Sequence, residues 1–289
     1  MAQLILTGFA DEAAVNLTEQ IKALQASQMH FVELRQVNGV NIGSMTQEQA
    51  KEAACQLRDA GIGVSCLGTP LGKTPLNESF EPVAEMTRRL CDHAHTFGSD
   101  NLRIFSFYLP EGQSAADCRA EVIDRMGRML DIAASEAISL LHENERDIYG
   151  DIQARCYDLH QAFGQRLRGI LDPANYLLVG TDPLAAMKQL EPWIDYLHIK
   201  DVRLSDRRIV PAGAGDGQIS EILSIMKHKP GKHFVSIEPH LTLFAGRDKL
   251  EKETGVELPQ SAEDYVYQDG PTAFAAAVAA CRRLLGQVS

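Results

Sequence analysis

Short runs rich in apolar and β-branched residues alternate with longer stretches of helical periodicity from one end of the chain to the other. Strands are predicted near 3–8, 30–35, 62–67, 102–107, 137–143, 168–172, 195–199 and 233–238. Helices are predicted over 17–27, 46–60, 82–97, 115–134, 152–163, 183–190, 219–227 and 271–285. Eight strands that are each followed by a helix indicate an α/β protein with a parallel sheet.

Eight such units can close into a barrel or remain an open, doubly wound sheet. Gly61 and Gly98 follow predicted helices, where glycine is a common cap, so the connections are short. A glycine-rich dinucleotide-binding fingerprint is missing after the first strand, which disfavours the open sheet. A closed barrel commonly occupies about 250 residues, and this chain has 289. We therefore predict a (β/α)8 TIM barrel that forms a single domain over residues 1–289.

Two connections are longer than the others. Residues 201–217 follow strand seven and combine three arginines with a glycine-rich stretch. Residues 241–269 form a long loop after strand eight that mixes charges with aromatic residues. Loops of this length in a compact domain are usually functional or disordered. We interpret the loop at 241–269 as a lid or as a subunit contact in a homo-oligomer.

Composition excludes several classes of protein. The 39 acidic residues outnumber the 28 Lys and Arg, and the formal net charge of −11 disfavours binding to nucleic acid or to an anionic membrane. The six cysteines form no CxxC pair, so neither a zinc knuckle nor a disulfide scaffold is indicated. No apolar run approaches the roughly 20 residues of a membrane span, and the amino terminus lacks a signal-peptide core. We expect a cytoplasmic protein.

Four predicted strands in the second half of the chain end in an acidic residue or a histidine. These end residues are Glu143, Asp172, His198 and Glu238. Because the parallel strands of a barrel all point their carboxyl ends the same way, side chains at four consecutive strand ends converge above the core. Three carboxylates and one imidazole suit Mn²⁺, Mg²⁺, Co²⁺ or Zn²⁺. The pattern predicts a site for a divalent cation.

Each ligand also has a structural alternative. An acid at a strand end is often a helix N-cap, and Asp172 precedes Pro173, a common first residue of a helix. His198 could be a core histidine, although strand alternation places it opposite its two aliphatic neighbours and so favours the barrel interior. Glu145 competes with Glu143, which we prefer because it lies nearer the end of the apolar run.

At these segments the chain resembles the xylose isomerase-like barrel superfamily, in particular its sugar phosphate isomerase/epimerase group. The similarity runs from Thr7-Gly8-Phe9-Ala10-Asp11-Glu12 to the last strand, and its most specific part is His198-Ile199-Lys200-Asp201-Val202-Arg203. The resemblance implies that Glu143, Asp172, His198 and Glu238 bind the metal and that an acid and an arginine, here Asp201 and Arg203, lie near the substrate.

The chain departs from two branches of that superfamily. Epimerases of free ketoses usually carry a histidine three residues after the strand-six aspartate, whereas this chain has Asn175, which can hydrogen-bond a substrate hydroxyl. The DNA-repair endonucleases need histidines at earlier strand ends. Strands two to four here end in Glu33-Leu34-Arg35, Cys66-Leu67-Gly68 and Ser106-Phe107-Tyr108. Nuclease activity is disfavoured.

The function expected from this pattern is a metal-dependent isomerase or epimerase of a small sugar, a sugar phosphate or a related hydroxy-carbonyl compound, acting through an enediolate. Glu143 and Glu238 are the predicted base and acid, and Lys200 or Arg203 would orient the distal oxygens of the carbohydrate substrate. Arg203 has an alternative as the partner of Asp201 or Asp206 on an exposed loop. A dehydratase of a cyclic polyol such as an inosose is a second interpretation, and a non-catalytic sugar-binding protein is a third.

Overall fold

Eight parallel strands form one sheet that curls into a nearly closed barrel, as predicted. The computed structural model describes residues 2–242 and 260–288. The strands, in chain order, are β1 (Gln3–Gly8), β2 (Phe31–Leu34), β3 (Gly63–Leu67), β4 (Asn101–Ile104), β5 (Ser139–Glu143), β6 (Leu167–Leu171), β7 (Ile194–Ile199) and β8 (Lys232–Ile237). In the sheet, β1 is hydrogen-bonded to β8, β8 to β7, and so on in reverse chain order until β3 is hydrogen-bonded to β2. β1 also lies beside β2.

Nine α-helices lie within the described residues. They are α1 (Leu17–Ala26), α2 (Gln47–Asp59), α3 (Glu81–Phe97), α4 (Ala115–Ser135), α5 (Gln153–Phe163), α6 (Pro173–Leu178), α7 (Pro183–Leu190), α8 (Ile219–His228) and α9 (Gly270–Gln287). The helix α6 was not predicted, because it is too short to show helical periodicity. Local signals still start it: the side chain of Asp172 caps its first turn and Pro173 is its first residue.

Apolar side chains fill two layers. The larger cluster lies between the strands and the surrounding helices. A smaller one occupies the barrel interior, with Cys66, Leu141, Ile170 and Tyr196 at its centre and Phe234 packed against them. Because side chains alternate between the two faces of each strand, the polar residues that share the inward face emerge directly above this interior cluster. The fold therefore supports the polar cluster from below with a packed apolar layer.

The long connection after β7 contains structure that the sequence did not reveal. Asp201–Arg203 pairs with Arg208–Val210 in an antiparallel hairpin. A second short hairpin, Gln36–Val37 with Val40–Asn41, follows β2. Of the predicted loop at 241–269, residues 243–259 lie outside the described part, and Ser261 forms a parallel bridge with Ile209 of the hairpin. No helix within the described ranges has the length and apolar character needed to cross a bilayer.

Candidate metal centre

Four buried side chains meet at the carboxyl ends of β5 to β8. Glu143 is the last residue of β5, Asp172 and Glu238 directly follow β6 and β8, and His198 lies near the end of β7. One potential ligand atom from each lies within 4.8 Å of those of the other three. The barrel thus brings together the four residues that the sequence analysis grouped.

His198 lies between two carboxylates. Its Nδ1 is 2.9 Å from Oε1 of Glu143, and its Nε2 is 3.1 Å from Oε2 of Glu33. Burial alone would lower the pKa of this imidazole, but the charges of Glu143 and Glu33 outweigh burial and hold its pKa well above the usual value. In the absence of another cation, His198 therefore carries a positive charge between the two acids.

Asp172 combines the two roles that the sequence left open. Its Oδ1 accepts a hydrogen bond from the backbone N–H of Asn175 at 2.9 Å, which caps α6. Its Oδ2 faces the cluster and lies 2.8 Å from Nζ of Lys200. Burial, against the opposing effect of Lys200 and together with the nearby charges of Glu238 and Glu143, raises the pKa of Asp172 to about 7. Capping and ligation use different oxygens and are compatible.

Lys200 is buried between two of the acids. Its Nζ donates to Oε2 of Glu238 at 2.9 Å while it also contacts Asp172. Burial works against a charged lysine, but the carboxylates of Asp172 and Glu238 dominate and raise the pKa of Lys200. Burial likewise opposes ionisation of Glu238, yet Lys200, His240 and other cations hold its pKa well below the usual range. Both groups are charged at neutral pH.

A second charged cluster borders the site on the side of β1 and β2. The guanidinium of Arg35 donates to Asp11 at 2.8 Å and to Glu12 at 3.2 Å, and lies 3.4 Å from Oε1 of Glu238. Glu12, Glu238 and His240 offer ligand atoms close to one another, but Arg35 already supplies a positive charge to this group. Burial raises the pKa of Glu12 to about 8, with Arg35 opposing the shift.

The sequence analysis did not select several of the buried residues that contact the quartet. They are Glu33, Arg35, Arg103 and His240, and Glu12 contacts two of them, Arg35 and His240. A signal for two of them was present: Glu33 and Arg35 are two positions apart at the end of β2, so strand alternation turns both towards the same face. Arg103 lies in β4, where its Nη1 is 3.2 Å from Oε2 of Glu143.

The residues predicted to contact substrate separate into two groups. Asn175 and Lys200 lie in the site, where Nδ2 of Asn175 is 3.5 Å from Oε1 of Glu143. Asp201 does not fit the predicted role, because its carboxylate accepts four backbone hydrogen bonds, from Val202 and from glycines of the following loop. Arg203 pairs with Asp206 and Asp264 at the surface. Pairing with Asp206 is the alternative that the sequence offered for Arg203. Asp201 and Arg203 thus hold the loop after β7 in place.

Glu145, the competitor of Glu143, lies outside the quartet. Its Oε2 pairs with Nζ of Lys73 at 2.9 Å, and both side chains are partly exposed. Lys73 also lies over the ring of Phe105, 4.3 Å from its centroid. The preference for Glu143 agrees with this geometry, since only Glu143 reaches His198 and the other acids.

The donor set fits a divalent cation. Among the described residues, the buried Oε2 of Glu143 and Oδ2 of Asp172 accept no hydrogen bond of good geometry, although Arg103 and Lys200 lie within ion-pair distance of them. Buried carboxylate oxygens without hydrogen bonds are costly unless another positive group binds them. Carboxylates and an imidazole suit Mn²⁺, Mg²⁺, Co²⁺ or Zn²⁺, and no thiolate is present to select among these ions. Glu143, Asp172, His198 and Glu238 would hold such an ion.

Comparisons with known proteins agree with this architecture. A 3-dehydroshikimate dehydratase from Bacillus anthracis is 20% identical over 193 residues, which are 66% of this chain and 69% of that protein. The solved structure of an IolI protein with a bound zinc atom superposes with a TM-score of 0.75 at 14% identity and covers 99% of both chains. An L-ribulose 3-epimerase superposes with a TM-score of 0.73 at 16% identity, covering 100% of this chain and 96% of that one. Residues 21–257 match the model of the xylose isomerase-like TIM barrel, and the chain belongs to that family.

Proposed function

We propose that this chain is a divalent-metal-dependent isomerase or epimerase that acts on a small hydroxy-carbonyl compound such as a sugar. The observation that carries the proposal is the convergence of Glu143, Asp172, His198 and Glu238 within 4.8 Å at the carboxyl ends of four neighbouring strands. In barrel enzymes of this type the active site lies at that end. The IolI protein, which shares the fold, binds a zinc atom, and this supports a metal in the present chain.

The metal would supply a Lewis acid that binds the carbonyl and hydroxyl oxygens of the substrate and acidifies the hydrogen on the neighbouring carbon. The protein must then move that proton. We assign its removal to Glu238, because this carboxylate is ionised at neutral pH and lies among the proposed ligands at the reaction centre. Glu143 approaches from β5, three strands away from β8 in the order of the sheet, and is placed to return a proton from a different direction.

Cationic side chains would orient the substrate and stabilise negative charge on its oxygens. Lys200 remains an ammonium, since two carboxylates raise its pKa. Arg103 is buried beside Glu143, and its Nε makes no hydrogen bond within the described residues. A donor held without a partner next to the proposed reaction centre is available to a substrate oxygen. Asn175, at the first turn of α6, could donate to a hydroxyl beside Glu143.

A dehydratase is the second candidate, and the relationship to a 3-dehydroshikimate dehydratase favours it. Elimination of water beside a carbonyl begins with the same removal of a proton. The two reactions separate afterwards, because an isomerase or epimerase returns a proton to carbon while a dehydratase expels a hydroxyl group. The buried acids and Lys200 could serve either outcome, so product analysis must distinguish them.

The test is a screen of ketoses, their phosphates, hydroxypyruvate, inososes and 3-dehydroshikimate in deuterated water with Mn²⁺, Mg²⁺ or Co²⁺. An isomerase or epimerase introduces deuterium from solvent into the carbon-bound position of its product, which NMR detects. A product that has one water molecule less than the substrate instead identifies the dehydratase. Neither exchange nor conversion of any compound, by protein with a full complement of metal, would contradict both proposals and favour a sugar-binding protein.

Metal content provides an independent check. Purified protein should bind close to one equivalent of divalent cation per chain, and H198A should lose it while remaining folded by circular dichroism. The matched control is H160Q, because His160 is a buried histidine that is hydrogen-bonded to the backbone of Leu167, away from the quartet. Equal metal content in H198A and wild type would remove His198 from the site.

A further inference from the structure

The carboxylate of Glu33 lies on the opposite side of the His198 ring from the proposed metal ligands. Both oxygens of Glu33 are close to Nε2 of His198, at 3.2 and 3.1 Å. The other ring nitrogen, Nδ1, faces Glu143 at 2.9 Å and Glu238 at 3.8 Å. The side chains of His198 and Glu33 are both 0% exposed, so water does not compete for these contacts.

A histidine that binds a metal must offer a lone pair from one ring nitrogen, while a neutral imidazole keeps a proton on the other. An ionised carboxylate accepts hydrogen bonds and donates none. With a cation held among Glu143, Asp172 and Glu238, the nitrogen on their side, Nδ1, would give its lone pair to that cation. Nε2, on the opposite side of the ring, would then keep the proton and donate it to Glu33.

Glu33 is itself held in position. The hydroxyl of Tyr196 donates to its Oε2 at 2.8 Å, and that hydroxyl is hydrogen-bonded to Ser65 at 3.0 Å. Ser65 in turn contacts the hydroxyl of Thr7 at 2.8 Å. This chain of hydrogen bonds runs across the barrel interior and joins side chains of four strands, β2, β7, β3 and β1, so the orientation of Glu33 is set by the core of the fold.

Aromatic packing restricts the imidazole ring as well. The ring of Phe9 meets that of His198 edge-on, with centroids 5.3 Å apart and an interplanar angle of 79°. The ring of Tyr196 does the same at 5.9 Å and 77°. A flip of the imidazole by half a turn would have to displace these neighbours and would break the contact with Glu33.

We propose that Glu33 is a positioning residue that fixes the tautomer of His198, so that Nε2 carries the proton and Nδ1 is the atom that ligates the metal. This inference rests on the proposed metal centre and specifies its atoms. Carboxylates that orient a ligating histidine typically change metal affinity by about 10–100-fold when they are replaced. Glu33 would thus act on the cation through His198 without touching it.

The direct experiment uses protein labelled with ¹⁵N in histidine and loaded with ¹¹³Cd²⁺. We expect scalar coupling between cadmium and Nδ1 of one histidine, a protonated Nε2 on the same ring, and loss of both signals in H198A. Coupling through Nε2 would overturn the inference and leave the metal centre intact. Bound cadmium without coupling to any histidine, or no bound cadmium, would overturn the inference together with the metal centre.

Affinity measurements test the role of Glu33 separately. E33Q keeps the size of the side chain and removes its charge, and we expect its dissociation constant for Cd²⁺ to rise about 10–100-fold. E145Q is the control, since Glu145 pairs with Lys73 and lies outside the quartet. Y196F, which removes one hydrogen bond to Glu33, should cause a smaller change than E33Q. An E33Q affinity within twofold of wild type, in protein with a wild-type melting temperature, would contradict the proposal.

Discussion

The ammonium nitrogen of Lys200 lies 2.8 Å from Oδ2 of Asp172, among the atoms proposed to bind a divalent cation. The same nitrogen is 2.9 Å from Oε2 of Glu238. Two of the four proposed ligands therefore already share one buried positive charge. The lysine stabilises the collection of acids before a metal arrives, and the metal and the lysine interact with the same carboxylates.

Replacing Lys200 should separate these two sources of positive charge. In K200M the metal-free protein should lose about 3–5 kcal/mol of stability, because a buried carboxylate pair is left without its partner. Added Mn²⁺ should then raise the melting temperature of the variant more than that of wild type, since it replaces the missing charge. Calorimetry with and without metal measures both effects.

K73M is the control for that experiment. Lys73 pairs with Glu145 at a partly exposed position outside the quartet, so its loss should cost about 1 kcal/mol or less and leave the response to metal unchanged. Identical metal responses in K200M and wild type would show that Lys200 does not share its carboxylates with the cation.

Glu238 should be essential for turnover and less important for folding. E238Q keeps the shape of the side chain, so we expect folded protein with much of its metal and a loss of activity of at least about 10²–10⁴-fold, the range for removal of a positioned acid or base. E145Q, at the partly exposed rim, should retain activity within a few-fold. Turnover of E238Q at the wild-type rate would remove Glu238 from the mechanism.

His160 should make stability depend on pH. Burial lowers the pKa of this histidine to about 4, while its ordinary value is 6.5. Its contribution is fully present above pH 6.5 and decreases as the pH falls from 6.5 towards 4, because the unfolded chain takes up the proton first. The total loss attributable to it is on the order of 1–3 kcal/mol. Urea unfolding between pH 7 and pH 4.5 should therefore show a steeper decline for wild type than for H160Q.

The exposed His30 gives the control for this pH effect, and H30Q should follow the wild-type curve. His142 is also buried, and its pKa is lowered to about 3, so part of the dependence should remain in H160Q. Parallel curves for H160Q and wild type would contradict the assignment to His160.

Gly72 should be intolerant of any side chain. Its φ is +82°, and a Cβ there would lie 2.1 Å from the carbonyl oxygen of Phe105. Gly112 has a similar φ of +77° but has no atom within 4 Å of such a Cβ. G112A should cost only the backbone strain of about 1–2 kcal/mol, whereas G72A should cost clearly more and displace the loop that carries Lys73. Equal unfolding free energies for the two variants would show that this loop is not fixed at Gly72.

The sequence predicted the parts of the site that follow the simplest rule of a parallel barrel. Glu143, Asp172, His198 and Glu238 each come where an apolar run stops, and the shared direction of the strands brings them together. Glu33 was harder to select, since β2 is only four residues long and its end gave no metal-ligand pattern. Its role depends on contacts with His198 and Tyr196, which are more than 160 residues away in the chain.

The neighbours Lys200 and Asp201 show a second limit of what the sequence can predict. Lys200 and Asp201 are adjacent, but strand alternation sends the ammonium into the site and the carboxylate towards the loop amides. The glycine-rich stretch of this loop leaves room for that carboxylate, since a Cβ at Gly215 would lie 2.4 Å from Asp201 Oδ1. Which partner approached this stretch could be known only from the folded chain.

The most direct measurement of the central claim is anomalous diffraction from crystals of the protein grown with Mn²⁺. The account predicts one strong anomalous peak at the carboxyl ends of β5 to β8, at bonding distances of about 2.0–2.3 Å from donor atoms of Glu143, Asp172, His198 and Glu238. A peak bound by other residues, or no peak at a manganese concentration that saturates the protein in solution, would contradict it.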